Sequence, residues 1–314
     1  MNTENTCKTK PKTPLILDIK GNSLDDGPGI RTVVFFKGCP LSCVWCHNPE
    51  SKKAVPEISF DKTKCVASDT CINVCSEDAL DRKNPFFIDR NLCTLCEICV
   101  ANCPSGAIAM VGKKITMKNI VATVLKDKPF YQNSGGGVTL SGGEPTLYMD
   151  FLSSLLAHLK SEGIHTLIET CRLFDLETFK EKILPFIDTI YYDIKIIDSL
   201  LHKRFCGVKN DVILENFIAL NRVSTQNGIE ILPRTPLIPD ITVTEENLTA
   251  IADFLAAQGV KKTRLLAYNP LWHDKNEKIG IINKQTKAKN MTTWIPKDKI
   301  KYYESIFNDK GIVV

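Results

Sequence analysis

The chain has 314 residues, which at about 150 residues per domain predicts one large domain or a large domain plus a small one. Apolar residues make up 43% and charged residues 24%, and this ordinary globular composition excludes a disordered, collagen-like or coiled-coil chain. The net charge of +4 is too small to predict a nucleic-acid partner. No apolar run approaches the roughly 20 residues of a membrane-spanning helix, and the polar start of the chain lacks the apolar core of a signal peptide. We therefore expect a cytoplasmic protein with no membrane partner.

The pattern of apolar runs alternates between strand-like and helix-like segments. The predicted strands are 31–37, 137–141, 165–170, 189–195, 229–234 and 264–268, and the predicted helices are 119–126, 150–161, 176–184, 212–223 and 245–257. Thr244 precedes two glutamates and is a typical helix N-cap. Six strand–helix units predict an α/β fold with a parallel sheet, either a partial barrel or an open doubly wound sheet. In both cases ligands bind at the C-terminal ends of the strands.

Cysteine is the unusual feature of the composition. Ten of the 13 cysteines fall between Cys39 and Cys103, and the others are Cys7, Cys171 and Cys206. In a reducing compartment, such a concentration predicts metal ligands rather than disulfides. Residues 57–112 hold seven cysteines and no helical periodicity. We interpret them as a small inserted iron–sulfur domain, with residues 1–56 and 113–314 forming the main domain.

The first cysteine motif follows the strand at 31–37. Cys39, Cys43 and Cys46 have the spacing C-x3-C-x2-C. Three thiolates on one loop can bind three irons of a [4Fe–4S] cluster, which leaves the fourth iron open to a substrate, whereas clusters used only for electron transfer normally have four cysteines. A zinc loop is the alternative, but zinc sites favour paired C-x2-C spacing and four ligands.

The inserted segment contains a duplicated ferredoxin motif. Its second half, Cys93, Cys96, Cys99 and Cys103 followed by proline, has the C-x2-C-x2-C-x3-C-P spacing of bacterial ferredoxins. The first half repeats this spacing 28 residues earlier, at Cys65, Ser68, Cys71 and Cys75, so that a serine stands at one of the four cysteine positions.

The fourth cysteine of each ferredoxin run ligates the other cluster. This predicts one complete [4Fe–4S] site, made by Cys93, Cys96, Cys99 and Cys75. The second site, made by Cys65, Cys71 and Cys103, lacks one thiolate. It can be a [3Fe–4S] cluster, or a [4Fe–4S] cluster completed by Ser68, Asp69 or water. A vestigial half without a cluster is the remaining alternative.

Beyond the cysteines, a longer motif narrows the class of protein. The sequence Asp26-Gly27-Pro28-Gly29-Ile30-Arg31, together with Cys39 to Cys46 and the following His-Asn-Pro-Glu, resembles the radical S-adenosylmethionine (SAM) activating enzymes of glycyl radical enzymes. The resemblance implies a partial (β/α)6 barrel of the radical SAM type with a ferredoxin-like dicluster insert. It also implies reductive cleavage of SAM to a 5′-deoxyadenosyl radical, which takes a hydrogen atom from a glycine of a partner enzyme.

The resemblance also implies which strand ends contact SAM. Gly142, Gly143 and Glu144 match a GGEP segment that binds the amino group. Asp26 matches a residue near the incoming glycine loop and is predicted to act in catalysis with the cluster cysteines. The remaining predicted cofactor contacts are Trp45, Glu169, Asp193, Lys195, Arg234 and Asn269. Of these, Asp193 matches a residue that helps hold a monovalent cation, and Asn269 replaces a histidine common in the family. Arg172 stands where the family often has a small residue.

The predicted partners are a glycyl radical enzyme as protein substrate and flavodoxin or ferredoxin as electron donor. The insert favours a target other than pyruvate formate-lyase: a dehydratase, a C–N lyase, an arylacetate decarboxylase or a fumarate-adding enzyme. One alternative is a radical SAM enzyme that modifies another peptide or a small molecule, although such enzymes carry extra cluster cysteines after the barrel. The other alternative is an iron–sulfur electron-transfer protein, which would not need an open iron or a GGEP segment.

Overall fold

The computed structural model describes residues 13–171, 173–282 and 289–314; Cys7 and Arg172 lie outside these ranges. The strands are β1 Ile16–Ser23, β2 Arg31–Phe36, β3 Glu57–Phe60, β4 Ile108–Val111, β5 Gly137–Gly142, β6 His165–Thr170, β7 Thr189–Asp193, β8 Glu230–Pro236 and β9 Arg264–Leu266. The helices are α1 Thr70–Asn73, α2 Ile98–Ala101, α3 Met117–Val124, α4 Lys128–Ser134, α5 Met149–Ser161, α6 Leu176–Lys182, α7 Ser199–Cys206, α8 Asp211–Asn227, α9 Glu245–Ala257, α10 His273–Lys278 and α11 Lys297–Asn308. No helix within these ranges is long and apolar enough to cross a membrane.

A seven-stranded sheet forms the main body, with the order β1-β2-β5-β6-β7-β8-β9. Strand β1 is antiparallel to β2, and every later neighbour is parallel. The strands follow one another in chain order, so the sheet lacks the reversal of strand order that defines a doubly wound fold. The register aligns Phe36 with Gly142 and Asp193 with Arg234. The C-terminal ends of these strands therefore meet along one edge.

All six predicted strands are confirmed, with ends within two residues of the prediction. The predicted cap is confirmed as well, because the Thr244 hydroxyl accepts a hydrogen bond from the Asn247 amide at 3.2 Å. The sequence did not reveal β1, whose residues alternate between partly buried and exposed at the sheet edge. Six of the described helices were also missed, namely α1, α2, α4, α7, α10 and α11, as were strands β3 and β4.

The main core lies between the sheet and the helices that pack on it. Ile16, Leu140 and Ile168 from the strands contact Leu152 and Leu156 from α5, and all five are fully buried. Helices α9 and α11 cover the far strands through a second apolar cluster. Because these helices lie against the sheet faces, the strand ends are left free for a site.

The inserted segment, residues 57–112, contains little regular structure. Strands β3 and β4 pair antiparallel, so Glu57 faces Val111 and the two ends of the segment lie side by side. Helices α1 and α2 have four residues each. The apolar core is small and is built around Ile58, Phe87 and Ile108. Five of the seven cysteines of the segment, Cys71, Cys75, Cys93, Cys99 and Cys103, belong to this small core or pack against it.

Candidate active site

The loop after β2 carries the first three cysteines. The loop is held from outside by the C-terminal end of α7, where the Cys206 carbonyl accepts from the Ser42 amide at 2.8 Å and the Phe205 carbonyl accepts from the Val44 amide at 3.0 Å. The Lys52 ammonium donates to the Cys43 carbonyl at 2.8 Å. These contacts fix the loop backbone and turn its three thiols toward the strand ends.

A cavity of about 420 Å³ opens at the C-terminal edge of the sheet. Its volume falls in the range of about 300–1,000 Å³ typical of small-molecule sites. Its wall includes the three loop cysteines, the predicted catalytic residue Asp26 and all but one of the predicted cofactor contacts, namely Trp45, Gly142, Gly143, Glu169, Asp193, Lys195, Arg234 and Asn269. The structure thus brings together residues that lie up to 243 positions apart in the chain.

Backbone as well as side chains forms this wall at the end of β5. Gly142 has a φ of +111°, and a Cβ there would lie 2.4 Å from the Phe36 amide nitrogen. Only glycine fits this conformation and this close approach of two strands. The peptide groups of Gly142 and Gly143 are therefore accessible from the cavity.

Four charged side chains form one network on the opposite wall. Arg234 donates to Asp193 Oδ1 through Nε at 3.0 Å and Nη2 at 2.8 Å, and its Nη1 donates to Glu169. Lys195 Nζ donates to Asp193 Oδ2 at 3.0 Å. Ser141 donates to the second oxygen of Glu169 at 2.6 Å. Opposite charges alternate through the network, so each buried charge has a partner.

The ion pairs outweigh the cost of burial in this network. Burial alone would raise the pKa of Asp193, but Arg234 and Lys195 hold that pKa below its usual value. Burial would lower the pKa of Lys195, yet Asp193 and the neighbouring thiols raise it. Lys195 and Arg234 are therefore both positively charged, although their side chains have little exposure to solvent. Because both oxygens of Asp193 already have cationic side chains as partners, a monovalent cation would have to compete with them.

Glu144 is the one predicted contact that the structure places outside the cavity wall. It is fully buried, and its carboxylate accepts from the Thr146 amide at 3.1 Å and hydroxyl at 2.6 Å, from the Thr170 hydroxyl at 2.9 Å and from the Cys171 amide at 2.7 Å. Glu144 thereby joins the turn after β5 to the end of β6 and shapes the wall from behind. That Glu144 accepts the SAM ammonium stays a prediction.

The Asp-Gly-Pro-Gly turn lies at the mouth of the cavity, and Arg31 holds it in place. Arg31 is fully buried and donates to Thr139 Oγ1 at 2.6 Å, to the Val138 carbonyl at 2.8 Å and to the Pro28 carbonyl at 3.2 Å. Thr139 in turn donates to the Asp26 carbonyl at 2.7 Å. The Asp26 carboxylate accepts from Ser23. Asp26 is therefore fixed at the rim.

Two cysteines that the sequence left as ordinary buried residues lie against the loop thiols. A hydrogen bond joins Cys206 to Cys43 and lowers the pKa of the Cys43 thiol to about 7. Cys171 is hydrogen-bonded to Cys39, and this contact and burial raise its own pKa. The sequence could have indicated the position of Cys171, because this residue directly follows β6. It could not have indicated that of Cys206, which follows no strand.

His202 is buried, and its ring nitrogen is hydrogen-bonded to the Val208 carbonyl at 2.7 Å, so this histidine has a structural role.

The seven cysteines of the inserted segment fall into two separate groups. Cys75, Cys93, Cys96 and Cys99 line one small cavity. Cys65, Cys71 and Cys103 line another, together with Ser68 and Asp69. Each group combines cysteines from both halves of the duplication, as crossed ligation requires. At the second cavity, Ser68 accepts from Thr70 at 3.2 Å, and the Asp69 carboxylate is paired with Arg82.

The donor set in all three places is thiolate sulfur, which suits iron–sulfur clusters. Within the described ranges, no three His, Cys, Asp or Glu side chains are arranged to hold a single metal ion. Each set of three or four thiols lines one shared space. The residues present therefore fit iron–sulfur clusters.

Comparison with known proteins first defines the class. Residues 25–81 match the 4Fe-4S single cluster domain family and residues 86–108 match a 4Fe-4S binding domain family. A radical SAM methyltransferase from Sphaerobacter thermophilus shares the fold, with a TM-score of 0.51 at 14% identity over 96% of this chain and 76% of that chain. The fold is therefore the α/β fold of radical SAM enzymes, with ferredoxin-like 4Fe-4S domains.

Relatives of known activity then define the family. The chain is 38% identical to the trans-4-hydroxy-L-proline dehydratase activating enzyme of Clostridioides difficile, over 85% of this chain and 88% of the relative. It is 39% identical to the isethionate sulfite-lyase activating enzyme of Nitratidesulfovibrio vulgaris, over 82% and 85%. It is 34% identical to the (2S)-3-sulfopropanediol dehydratase activating enzyme of Klebsiella oxytoca, over 95% of both chains. The chain belongs to the radical SAM activating enzymes of glycyl radical enzymes.

Proposed function

We propose that this enzyme cleaves SAM reductively in the cavity at the strand ends and generates a glycyl radical on a partner enzyme. One observation carries the proposal: the thiols of Cys39, Cys43 and Cys46 share a wall with the charged network of Arg234 and Lys195. This puts a site for three irons of a cluster beside groups that recognise an amino acid. Cys39, Cys43 and Cys46 would hold a [4Fe–4S] cluster there, and the bound cluster would supply the electron for reductive cleavage of the C–S bond of SAM.

The chain's own residues position SAM and keep water away. Lys195 and Arg234 are cations with little exposure, so they can bind a carboxylate with little competition from water. Glu169 and the peptide groups of Gly142 and Gly143 offer acceptors for an ammonium group. Trp45 and the apolar residues around it seal the cavity behind the loop. Asp26 at the rim is the group nearest to an incoming glycine segment.

We further propose the partial (β/α)6 barrel for the sheet of the main domain, 1–56 and 113–314, and a dicluster domain for residues 57–112. The unreversed strand order supports the barrel, and the two groups of cysteines support two auxiliary clusters. The insert would pass electrons from flavodoxin or ferredoxin to the radical cluster. Thiolate ligands in such numbers fit the reducing cytoplasm. A monovalent cation beside Asp193 would have to displace Arg234 or Lys195 from this carboxylate.

The test is anaerobic reconstitution with iron and sulfide, followed by reduction in the presence of SAM. We expect 5′-deoxyadenosine and methionine in equal amounts. With a glycyl radical enzyme encoded near this gene as partner, we expect the electron paramagnetic resonance (EPR) signal of a glycyl radical. Cleavage without any partner radical would favour a radical SAM enzyme acting on another substrate. Cluster reduction without cleavage would favour an electron-transfer protein.

A further inference from the structure

Lys37 is a fully buried lysine that neither the cavity nor the cysteine groups use. It directly follows β2, and one residue, Gly38, separates it from Cys39 of the cysteine loop. A buried ammonium needs close partners, because removing a charge from water is costly. Its partners therefore reveal why a lysine is present at this junction.

The ammonium of Lys37 joins the loop to the start of the insert. Nζ donates to Glu57 Oε2 at 2.8 Å, and Glu57 is the first residue of β3, with a side chain only 9% exposed. The same Nζ donates to the Glu50 carbonyl at 2.5 Å, on the chain leaving the cysteine loop. One charged group thus connects the cysteine loop with the first strand of the insert.

The stem of Lys37 contacts the other end of the insert. Gly112, directly after β4, has a φ of +88°, and a Cβ there would lie 2.5 Å from Lys37 Cδ. The lysine stem therefore occupies the space that any side chain at position 112 would need. The next residue, Lys113, pairs with Ile16 of β1 through two backbone hydrogen bonds of 2.9 and 2.8 Å. Both ends of the insert are thus fixed to the main sheet at one point.

The backbone of Lys37 is held as firmly as its side chain. Its amide donates to the Leu15 carbonyl at 2.8 Å, and its carbonyl accepts from the Tyr148 hydroxyl at 2.5 Å. Next to it, the Gly38 amide donates to the Ser51 carbonyl at 2.6 Å. Any movement of the insert about its ends would therefore be transmitted through Lys37 to the cysteine loop.

From these contacts we infer that Lys37 is a positioning residue that fixes the insert against the cysteine loop, so that the thiols of the insert and those of the loop keep a constant separation. This inference rests on the proposed function, in which electrons pass between the two regions. The rate of such a transfer depends on distance, and a rigid junction keeps that distance the same in every molecule.

The test compares Lys37→Met/Glu57→Gln with Lys53→Met. The double change avoids leaving Glu57 charged and buried after its main partner is lost. Lys53 is the matched control, because it pairs with the other oxygen of Glu57 at 2.9 Å but its side chain is 59% exposed. Gly112→Ala is a second, independent variant, in which the new methyl group displaces the lysine stem.

The measurement is the EPR spin relaxation of the reduced loop cluster, which is accelerated by reduced clusters in the insert and reports their separation. We expect Lys37→Met/Glu57→Gln and Gly112→Ala to lose part of this acceleration or to spread it over a range of values. We expect iron content and SAM affinity to stay at the wild-type level, as in Lys53→Met. Wild-type relaxation in both variants would overturn the inference. Because the measurement requires no turnover, a wild type that fails to cleave SAM would refute the proposed function separately.

Discussion

The cavity at the strand ends and the cysteine groups of the insert are built by different means. The cavity sits on a sheet whose strands and helices bury a large apolar core, and its charged side chains already pair with one another. The insert has two four-residue helices, a two-stranded sheet and a small apolar core. Small domains with little core depend on metal for stability. We therefore expect the main domain to form its site without a cluster, and the insert to depend on bound iron–sulfur clusters for its fold.

The largest expected effect separates catalysis from electron supply. Cys43→Ala should abolish SAM cleavage, because it removes one of three ligands at the site where SAM binds. Cys96→Ala, a matched change in the insert, should leave cleavage measurable when a chemical reductant reaches the loop cluster directly. The measurement is 5′-deoxyadenosine formed by each reconstituted variant. Full cleavage by Cys43→Ala would contradict the assignment of the loop.

The second-largest effect is expected from removal of iron, which should expose the amides of the insert to exchange but not those of the main sheet. In the protein stripped by a chelator, amide hydrogens of the insert between β3 and β4 should exchange rapidly, because the clusters supply most of its folding free energy. Amides of β5 and β6 should stay protected. Hydrogen exchange followed by mass spectrometry measures both in one sample. An insert that stays protected without iron would show that its small core suffices.

A single contact in the charged network should have an intermediate effect. Lys195→Ala should weaken SAM binding about ten- to a hundredfold, since a charge-assisted hydrogen bond contributes about 1.5–3 kcal/mol. Glu169→Gln should weaken it less, because the amide oxygen can still accept. Titration calorimetry of variants with normal iron content measures both. Unchanged affinity in Lys195→Ala would remove this lysine from the SAM site.

Glu144 should respond differently from its charged neighbours. Glu144→Gln should lower the free energy of unfolding by about 1–3 kcal/mol, because the new amide nitrogen then faces a backbone amide, of Thr146 or Cys171, that can only donate. SAM affinity should change little, because Glu144 does not line the cavity. Thermal unfolding of the stripped protein measures the first quantity and calorimetry the second. Strong loss of SAM affinity at normal stability would restore Glu144 as a cofactor contact.

The smallest effect is expected at Ser68. Ser68→Cys should stabilise the cluster shared by Cys65, Cys71 and Cys103, because thiolate binds iron better than a hydroxyl that keeps its proton. SAM cleavage should be unchanged. Mössbauer spectra should show less conversion to [3Fe–4S] on oxidation than in the wild type. If neither protein holds iron at this position, this half of the insert is vestigial.

The sequence predicted the six parallel strands because each is a short apolar run buried by helices on the sheet faces. It could not predict β1, whose partly exposed residues alternate at the sheet edge. The position of the cavity was predictable, because the C-terminal ends of parallel strands meet along one edge of the sheet. The exception was Glu144: a carboxylate at a strand end has the same sequence signature whether it faces a ligand or a buried threonine. The sequence could not predict that α7 holds the cysteine loop, because these contacts are made by backbone carbonyls, which every residue has.

Those carbonyls have an electrical consequence. The amides of Ser42 and Val44 donate to the last turn of α7 and so cannot donate to the sulfur atoms of a cluster. Hydrogen bonds to sulfur are among the features that set the potential of iron–sulfur clusters, and the C-terminal end of a helix carries partial negative charge. Both effects would disfavour the extra electron on a reduced cluster held by Cys39, Cys43 and Cys46. The helix would therefore lower the reduction potential of such a cluster and make it a stronger reductant, which suits the breaking of a carbon–sulfur bond.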